Sequence, residues 1–187
     1  MTSRWAVDIS AHRDLQIRWK PISLKLKNST PEDSPSFARV THTHGLLRVM
    51  ESVRATEGDG VVGRLYEVYG NHIHGAQDLV DPAVALLEAN LDSKHAAAFD
   101  DPSFDVAIRA SMDDGLGLTG PDVGTPILAF LNSKGNRVGF FGPVISRRLP
   151  IDESLKLWDG LMLTARTDSF WELKRTRTEG PDFSPVE

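Results

Sequence analysis

The feature that most constrains the fold is a long stretch of helical periodicity in the middle of the chain. Between residues 37 and 118, apolar side chains recur three or four positions apart, as at Leu46 and Met50, which places them on one face of a helix. Asp81-Pro82 and Asp101-Pro102 predict helix starts, because Asp caps free N–H groups and Pro fits the first helical position. We therefore expect several consecutive helices here.

The segments on either side of this block have strand character. Leu15 to Leu26 begins with alternating apolar and polar side chains, the pattern of a strand with one buried face. Ile127 to Leu131 and Arg137 to Phe141 are short β-prone runs, and Gly135 lies between them. Because glycine supplies the positive φ that a hairpin loop needs, we expect an antiparallel hairpin after the block and a strand before it.

Helices are also predicted near both ends of the chain. The composition of residues 1–12 favours a helix, and Asp152 to Thr164 carries apolar side chains at helical spacing. The order helix, strand, helical block, hairpin, helix indicates an α/β domain that is interrupted by a helical insertion.

Composition excludes several classes of protein. The 187 residues contain no cysteine, which excludes a disulfide, a thiolate nucleophile and a Cys-ligated zinc or iron–sulfur centre. A net charge of -5 disfavours nucleic-acid binding, which relies on clustered Lys and Arg. No apolar run is long enough to span a membrane, and the charged N-terminal stretch lacks the apolar centre of a secretory signal. We expect a cytoplasmic protein with no nucleic-acid or membrane partner.

The sharpest local feature is Thr125-Pro126, which stands directly before the first strand of the hairpin. Proline cannot donate a sheet hydrogen bond and tolerates cis geometry better than other residues, so a proline at this position can mark a functional bend. The alternative is an ordinary trans proline at the start of a strand.

Two pairs of histidines raise the hypothesis of a metal site. His42 and His44, and likewise His72 and His74, are two positions apart, whereas residues that share a helix face are three or four apart. Solvated or hydrogen-bonding histidines are the favoured interpretation, and we predict no metal ligand. A serine hydrolase is not indicated either, because the chain has no G-x-S-x-G motif.

Motifs that are spread over nearly the whole chain carry a resemblance to a known family. They are TSRW at 2–5, LQIRW at 15–19, GNHIH at 70–74, DVGTP at 122–126, FFGPV at 140–144, KLWDG at 156–160 and FWELKRTRTE at 170–179. On these motifs the chain resembles the DsbA-like thioredoxin-fold oxidoreductases, and among them the mycothiol-dependent nitroreductases. The C-terminal third is the most specific part, because its last two motifs form one long match.

The resemblance implies an α/β, thioredoxin-like fold of the DsbA type with a helical insertion. The N-terminal part of the domain would cover residues 1–33, the insertion 34–118 and the C-terminal part 119–187. In that family a first strand leads into a C-P-W-C motif at the start of the first helix, whose dipole stabilises a thiolate. Neither that strand nor a cysteine is present, so we expect an N-terminally truncated member. Loss of a central strand would leave buried amides unpaired, at on the order of 1 to 3 kcal/mol each.

The resemblance also implies a set of substrate-binding residues. Thr125-Pro126 corresponds to the cis-Pro loop, which faces the dithiol and holds an extended substrate by backbone hydrogen bonds. Asn28, Asn71 and His74 fall where the family's pocket is lined, and Trp5 falls one turn into the first helix. Each has an alternative role in packing, and a plain turn is an equally good interpretation of Asn28.

For function, the resemblance implies a thiol-disulfide oxidoreductase or mycothiol-dependent reductase. Its substrate would be a small molecule or a disulfide, with mycothiol as the candidate electron donor of a complete member. We expect no catalysis from this cysteine-free chain, no catalytic residue and no bound cofactor. The alternative is a non-catalytic thioredoxin-like module that binds a peptide or a small thiol in its groove or at an open sheet edge.

Overall fold

The structure, a computed structural model, describes residues 1–184; residues 185–187, the end of the predicted C-terminal part, lie outside the described residues. The chain divides into two compact units. The hairpin unit consists of Met1–Ile17 with Asp114–Glu187, and the helical unit of Arg18–Asp113. The predicted division at residues 33 and 118 stays a prediction.

The architecture is mixed and mainly helical, with one small two-stranded sheet in the described part, which agrees with the coarse α/β class. In chain order the elements are α1 (Thr2–Ser10), α2 (Leu24–Lys27), α3 (Phe37–Glu57), α4 (Asp59–Gly70), a π-helix (Asn71–Ala76), α5 (Pro82–Glu88), two 3₁₀ helices (Ser93–Asp100 and Pro102–Phe104), α6 (Asp105–Thr119), β1 (Ile127–Leu131), β2 (Arg137–Phe141) and α7 (Ile151–Ala165). None of the helices within residues 1–184 is both long and apolar enough to cross a membrane.

The two strands form the predicted antiparallel hairpin, with the predicted bounds. Ile127 lies opposite Phe141, and Leu131 lies opposite Arg137. Gly135 in the connecting loop has a φ of 78°, a conformation that costs glycine little and other residues more. Local turn chemistry and two apolar runs are therefore sufficient to define this element.

The outer edge of β1 carries backbone groups that the hairpin does not use. Gly142 N donates a hydrogen bond to the Pro126 carbonyl (2.8 Å), and hydrogen-bonded positions alternate along an antiparallel ladder. The N–H and C=O groups of Ile127, Ala129 and Leu131 therefore point away from β2. No third strand pairs with β1 in the part of the chain that the structure describes.

The core of the helical unit lies between α3, α4, α5 and the first 3₁₀ helix. Its most deeply buried side chains are aliphatic and come from the first three of these helices. They are Leu46, Val49, Met50 and Val53 from α3, Val62 and Leu65 from α4, and Ala85 and Leu86 from α5. This agrees with the helical periodicity of the sequence.

Both predicted Asp-Pro helix starts are confirmed. Asp81 accepts hydrogen bonds from the N–H groups of Ala83 (2.8 Å) and Val84 (3.2 Å) at the start of α5. Asp101 accepts from Ser103 N (2.8 Å), and there the chain makes a short 3₁₀ turn before α6 begins.

The strand predicted from Leu15 to Leu26 is wrong. Leu15 and Trp19 are partly buried and the polar residues between them are exposed, so the predicted alternation of burial is present. The segment nevertheless pairs with no strand among the described residues, and it ends in the short helix α2, which Ser23 caps by accepting from Leu26 N (3.2 Å). Alternation determines which side chains are buried, but a strand also needs a hydrogen-bonded neighbour.

Candidate functional site

In the hairpin unit, two hydrogen bonds connect the first turn of α1 to the residue before β1, by way of the residues that follow β2. The hydroxyl of Thr2, which is buried, donates a hydrogen bond to the Pro143 carbonyl (2.7 Å). The next residue back, Gly142, donates from its N–H to the Pro126 carbonyl (2.8 Å). The Thr125–Pro126 and Gly142–Pro143 peptide bonds are both cis. The predicted pair Thr125 and Pro126 is thus linked to the start of α1 through Gly142 and Pro143, which follow β2.

The N-terminal end of α1 has backbone N–H groups that the helix itself does not satisfy. Its N-cap residue, Met1, makes no side-chain capping hydrogen bond, and the first N–H groups of a helix have no acceptor within the helix. Burial, followed by the positive charge of Arg4, lowers the pKa of the Met1 amino group. An anionic group at this helix end would be stabilised by the N–H groups, the helix dipole and the Arg4 charge.

Trp5 packs within the hairpin unit rather than facing solvent. Its side chain is 3% exposed, and its indole N–H donates to the Ser154 carbonyl (3.3 Å). Its ring also lies against Trp158, with the centroids 6.0 Å apart. These contacts attach α1 to α7, so they support the packing interpretation of Trp5; its predicted role toward a substrate stays a prediction.

In the helical unit, Asn71 and His74 lie on the π-helix that directly follows α4. Both residues are exposed. Arg39 on α3 donates to the Ile73 carbonyl between them (2.7 Å), which fixes that stretch of backbone against α3. Asn71 and His74 thus share one short segment, and the residue His72 between them is partly buried.

Asn28 lies at the C-terminal end of α2. Its backbone N–H donates to the Leu24 carbonyl (3.1 Å), and Ser29, the next residue, has a positive φ of 44°. These features support the turn interpretation of Asn28. Its predicted role in lining a pocket stays a prediction.

Sequence reasoning missed a buried polar chain between α2, α3 and α6. Within the helical unit, His44 Nδ1 lies 2.9 Å from Ser23 Oγ, and His44 Nε2 lies 3.0 Å from Asp105 Oδ1. Arg48 holds the same carboxylate through its Nε (2.6 Å) and Nη2 (3.0 Å), and these bonds lower the pKa of Asp105. Burial lowers the pKa of His44 despite the nearby Asp105, so His44 is a neutral link.

The Ser23–His44–Asp105 chain has the order of a catalytic triad but not the exposure of one. Ser23 is 1% exposed, and its hydroxyl also caps α2. A substrate carbonyl cannot reach this oxygen, so the chain is a structural network. The sequence contains no spacing signal for it, because the three residues come from distant parts of the helical unit.

A second arrangement of the same type lies at the end of α3. His95 Nδ1 is 2.9 Å from Ser52 Oγ, and its Nε2 is 3.1 Å from Glu57 Oε1. Ser52 lies inside α3, where the backbone N–H groups are committed to helix hydrogen bonds and cannot form an oxyanion hole. This network therefore attaches the first 3₁₀ helix to α3.

The two histidines of the first pair, His42 and His44, make different contacts. His42 Nε2 lies 3.0 Å from the Val80 carbonyl, whereas His44 belongs to the buried chain described above. Among residues 1–184, no group of three or more His, Asp or Glu side chains is arranged to hold a metal ion.

Comparison of the sequence with models of known protein families gives a match over residues 1–175. The matching model is Rv2466c-like, described as the mycothiol-dependent nitroreductase Rv2466c. The matched range includes the whole helical unit and every strand and helix that the structure describes in the hairpin unit.

Proposed function

The chain belongs to the Rv2466c-like family of mycothiol-dependent nitroreductases, and on this premise we propose that it is the scaffold of a mycothiol-dependent reductase with a thioredoxin-like, DsbA-type fold. The observation that carries the proposal is the link from the start of α1 to Pro126 through Thr2 and Pro143. It supports a site in which a sulfur atom at the helix start would face the backbone that enters β1.

The described residues suit this chemistry in two ways. The N–H groups at the start of α1, which have no acceptor within the helix, and the Arg4 charge would stabilise a thiolate and lower its pKa. The backbone at Thr125-Pro126 would hold an extended substrate beside that sulfur. Mycothiol would supply the reducing thiol. Asn71 and His74, in the helical unit, stay proposed substrate-binding residues on the strength of the family resemblance alone.

The chain contains no sulfhydryl group to carry the exchange, so we propose that the redox cysteines lie on a segment outside these 187 residues. The unused backbone groups of Ile127, Ala129 and Leu131 support this proposal, because they offer one more strand a complete set of hydrogen-bond partners. Such a strand would end near the start of α1 and could deliver a cysteine there.

Two measurements test the proposed function. The purified 187-residue chain should reduce neither a nitro compound with mycothiol nor insulin disulfides above the uncatalysed rate. A protein extended by an in-frame upstream segment encoding a strand and C-x-x-C should reduce both, and replacing its first cysteine by serine should abolish the gain. Turnover by the short chain would contradict the proposal. A stop codon in the upstream reading frame, with a natural N-terminus at Met1, would contradict the proposal that a further segment carries the redox cysteines.

The absence of cysteine also favours a second candidate, a non-catalytic thioredoxin-like module that binds a peptide or a small thiol. This candidate predicts saturable binding of mycothiol or of an extended peptide to the short chain, measured by calorimetry, without turnover. Its peptide would pair with the outer edge of β1, so replacing Ala129 by proline should weaken peptide binding more than mycothiol binding.

A further inference from the structure

The imidazole of His72 is held between two carboxylates. Its Nδ1 lies 3.1 and 3.2 Å from the two oxygens of Asp78, and its Nε2 lies 3.2 and 3.0 Å from those of Glu88. An ionised carboxylate only accepts hydrogen bonds, and a neutral imidazole has a single N–H. Both contacts are therefore attractive only when His72 carries two ring protons and a positive charge.

These contacts join the π-helix to α5. His72 lies on the π-helix, Asp78 lies in the loop that follows, and Glu88 is the last residue of α5. The Gln77 N–H also donates to the His72 carbonyl, so the ring and the backbone of His72 hold the same segment. Removing the charge of His72 would leave one ring nitrogen facing a carboxylate without a proton between them.

The attachments of this segment to α3 do not depend on such a charge. Arg39 donates from its guanidinium to the Ile73 carbonyl (2.7 Å), a hydrogen bond in which no imidazole takes part. His42 Nε2 contacts the Val80 carbonyl (3.0 Å), a bond that a neutral imidazole can donate. A change in pH near neutrality therefore acts on the α5 side of the segment while the α3 side stays attached.

We propose that His72 is a proton-controlled clasp, which fixes the segment from Asn71 to Ala76 against α5 when it is protonated and releases that side of the segment when it is neutral. Asn71 and His74 lie on this segment, so the clasp would change the position of two proposed substrate-binding residues. The clasp itself stands on the geometry, whereas its effect on a thiol ligand rests on the proposed function.

The direction of the pH effect follows from the two acidic neighbours. Glu88 from α5 and Asp78 from the loop are the charged groups within ion-pairing distance of the ring in the described structure. The hydrogen bonds that the ring donates to these carboxylates, with the bond to Glu88 having the larger effect, raise the pKa of His72. The clasp is fully closed below the ordinary histidine pKa of about 6.5 and opens as the pH rises through the raised value.

Hydrogen exchange of the 187-residue chain tests the clasp without any ligand. After correction for intrinsic exchange, amides in residues 71–79 should exchange roughly two- to tenfold faster on the alkaline side of the transition, as expected for two surface ion pairs. H72Q should exchange fast at every pH, and E88Q should move the transition to lower pH. H12Q, which removes an exposed histidine of the hairpin unit, is the matched control and should behave as wild type.

A nitrogen-detected titration of the His72 ring gives an independent readout of the same device. The proposal is overturned if the ring titrates at or below the ordinary histidine pKa, or if H72Q retains the pH-dependent exchange of residues 71–79. Mycothiol binding is measured separately, so a working clasp in a chain that binds no thiol would contradict the proposed function and leave the clasp established.

Discussion

At the scale of single residues, the start of α1 makes a specific electrostatic prediction. A thiol introduced by S3C in the first turn of α1 should have a pKa below the ordinary cysteine value of about 8.5, because free N–H groups and the helix dipole stabilise the thiolate. The matched control is S10C, in the last residue of α1, where the helix dipole has the opposite sign. The pH dependence of alkylation gives both values, and a pKa for S3C equal to or above that of S10C would contradict the prediction.

Gly45 provides a second prediction at the scale of single residues. A Cβ atom at Gly45 would lie 2.6 Å from the Phe99 ring, which is closer than real contacts allow. G45A should therefore destabilise the protein by about 1 to 3 kcal/mol, the usual cost of overpacking a core. G60A adds the same atom to α4, where nothing lies within 4 Å, and should stabilise by roughly 0.5 to 1 kcal/mol. Urea unfolding midpoints compare the two, and equal shifts would contradict the packing argument.

At the scale of elements, the predictions that hold are those that depend on interactions between residues close together in the sequence. The hairpin was predictable to its bounds because two apolar runs and the loop glycine, Gly135, lie within one short stretch. The start of α5 was predictable because Asp81 and Pro82 act on the next turn of chain. The strand from Leu15 to Leu26 was not, because pairing depends on a neighbour that the sequence of the segment does not contain.

The same limit applies to the candidate site. Thr125-Pro126 was identifiable because the dipeptide and its following strand are adjacent in sequence. The contacts that make it part of a site come from Thr2, which is 141 positions from its partner Pro143. The free-energy cost expected from losing a central strand also needs correction, because it assumes that the unpaired amides are buried. Ala129 and Leu131 are exposed, so water can hydrogen-bond their backbone groups.

The buried chain that joins α2, α3 and α6 predicts an acid-sensitive stability. His44 has a lowered pKa in the folded state, so the unfolded chain binds its proton first and stability falls as the pH drops below the ordinary value of 6.5. Asp105, whose pKa is also lowered, acts in the same direction at lower pH. H44Q should remove the upper part of this slope, which is at most about 1.4 kcal/mol per pH unit for one group.

Urea unfolding at a series of pH values between about 7.5 and 5 measures the effect of H44Q, since histidine side chains change charge in this range. H12Q serves as the control because His12 is exposed and should leave the slope unchanged. If H44Q and wild type lose stability equally as the pH falls, His44 is not the neutral link that its burial indicates.

At the scale of the whole molecule, the two units differ in how continuous they are along the chain and in what stabilises their secondary structure. The hairpin unit is built from two separate stretches of chain, and its sheet has only two strands in the described part, an arrangement of marginal stability by itself. The helical unit is one continuous stretch, and its buried cluster runs from Leu46 to Ala98. Stability should therefore be concentrated in the helical unit.

A fragment of residues 18–113 should accordingly fold by itself. It retains the whole buried cluster, and its ends are held together because Ser111 Oγ donates to the Pro21 carbonyl (2.9 Å). We expect helical circular dichroism and a single cooperative urea transition from the fragment. L65A, which removes most of a fully buried side chain, should lower its stability by about 2 to 5 kcal/mol. If the fragment shows no cooperative transition, the helical unit does not fold without the hairpin unit, and the prediction is wrong.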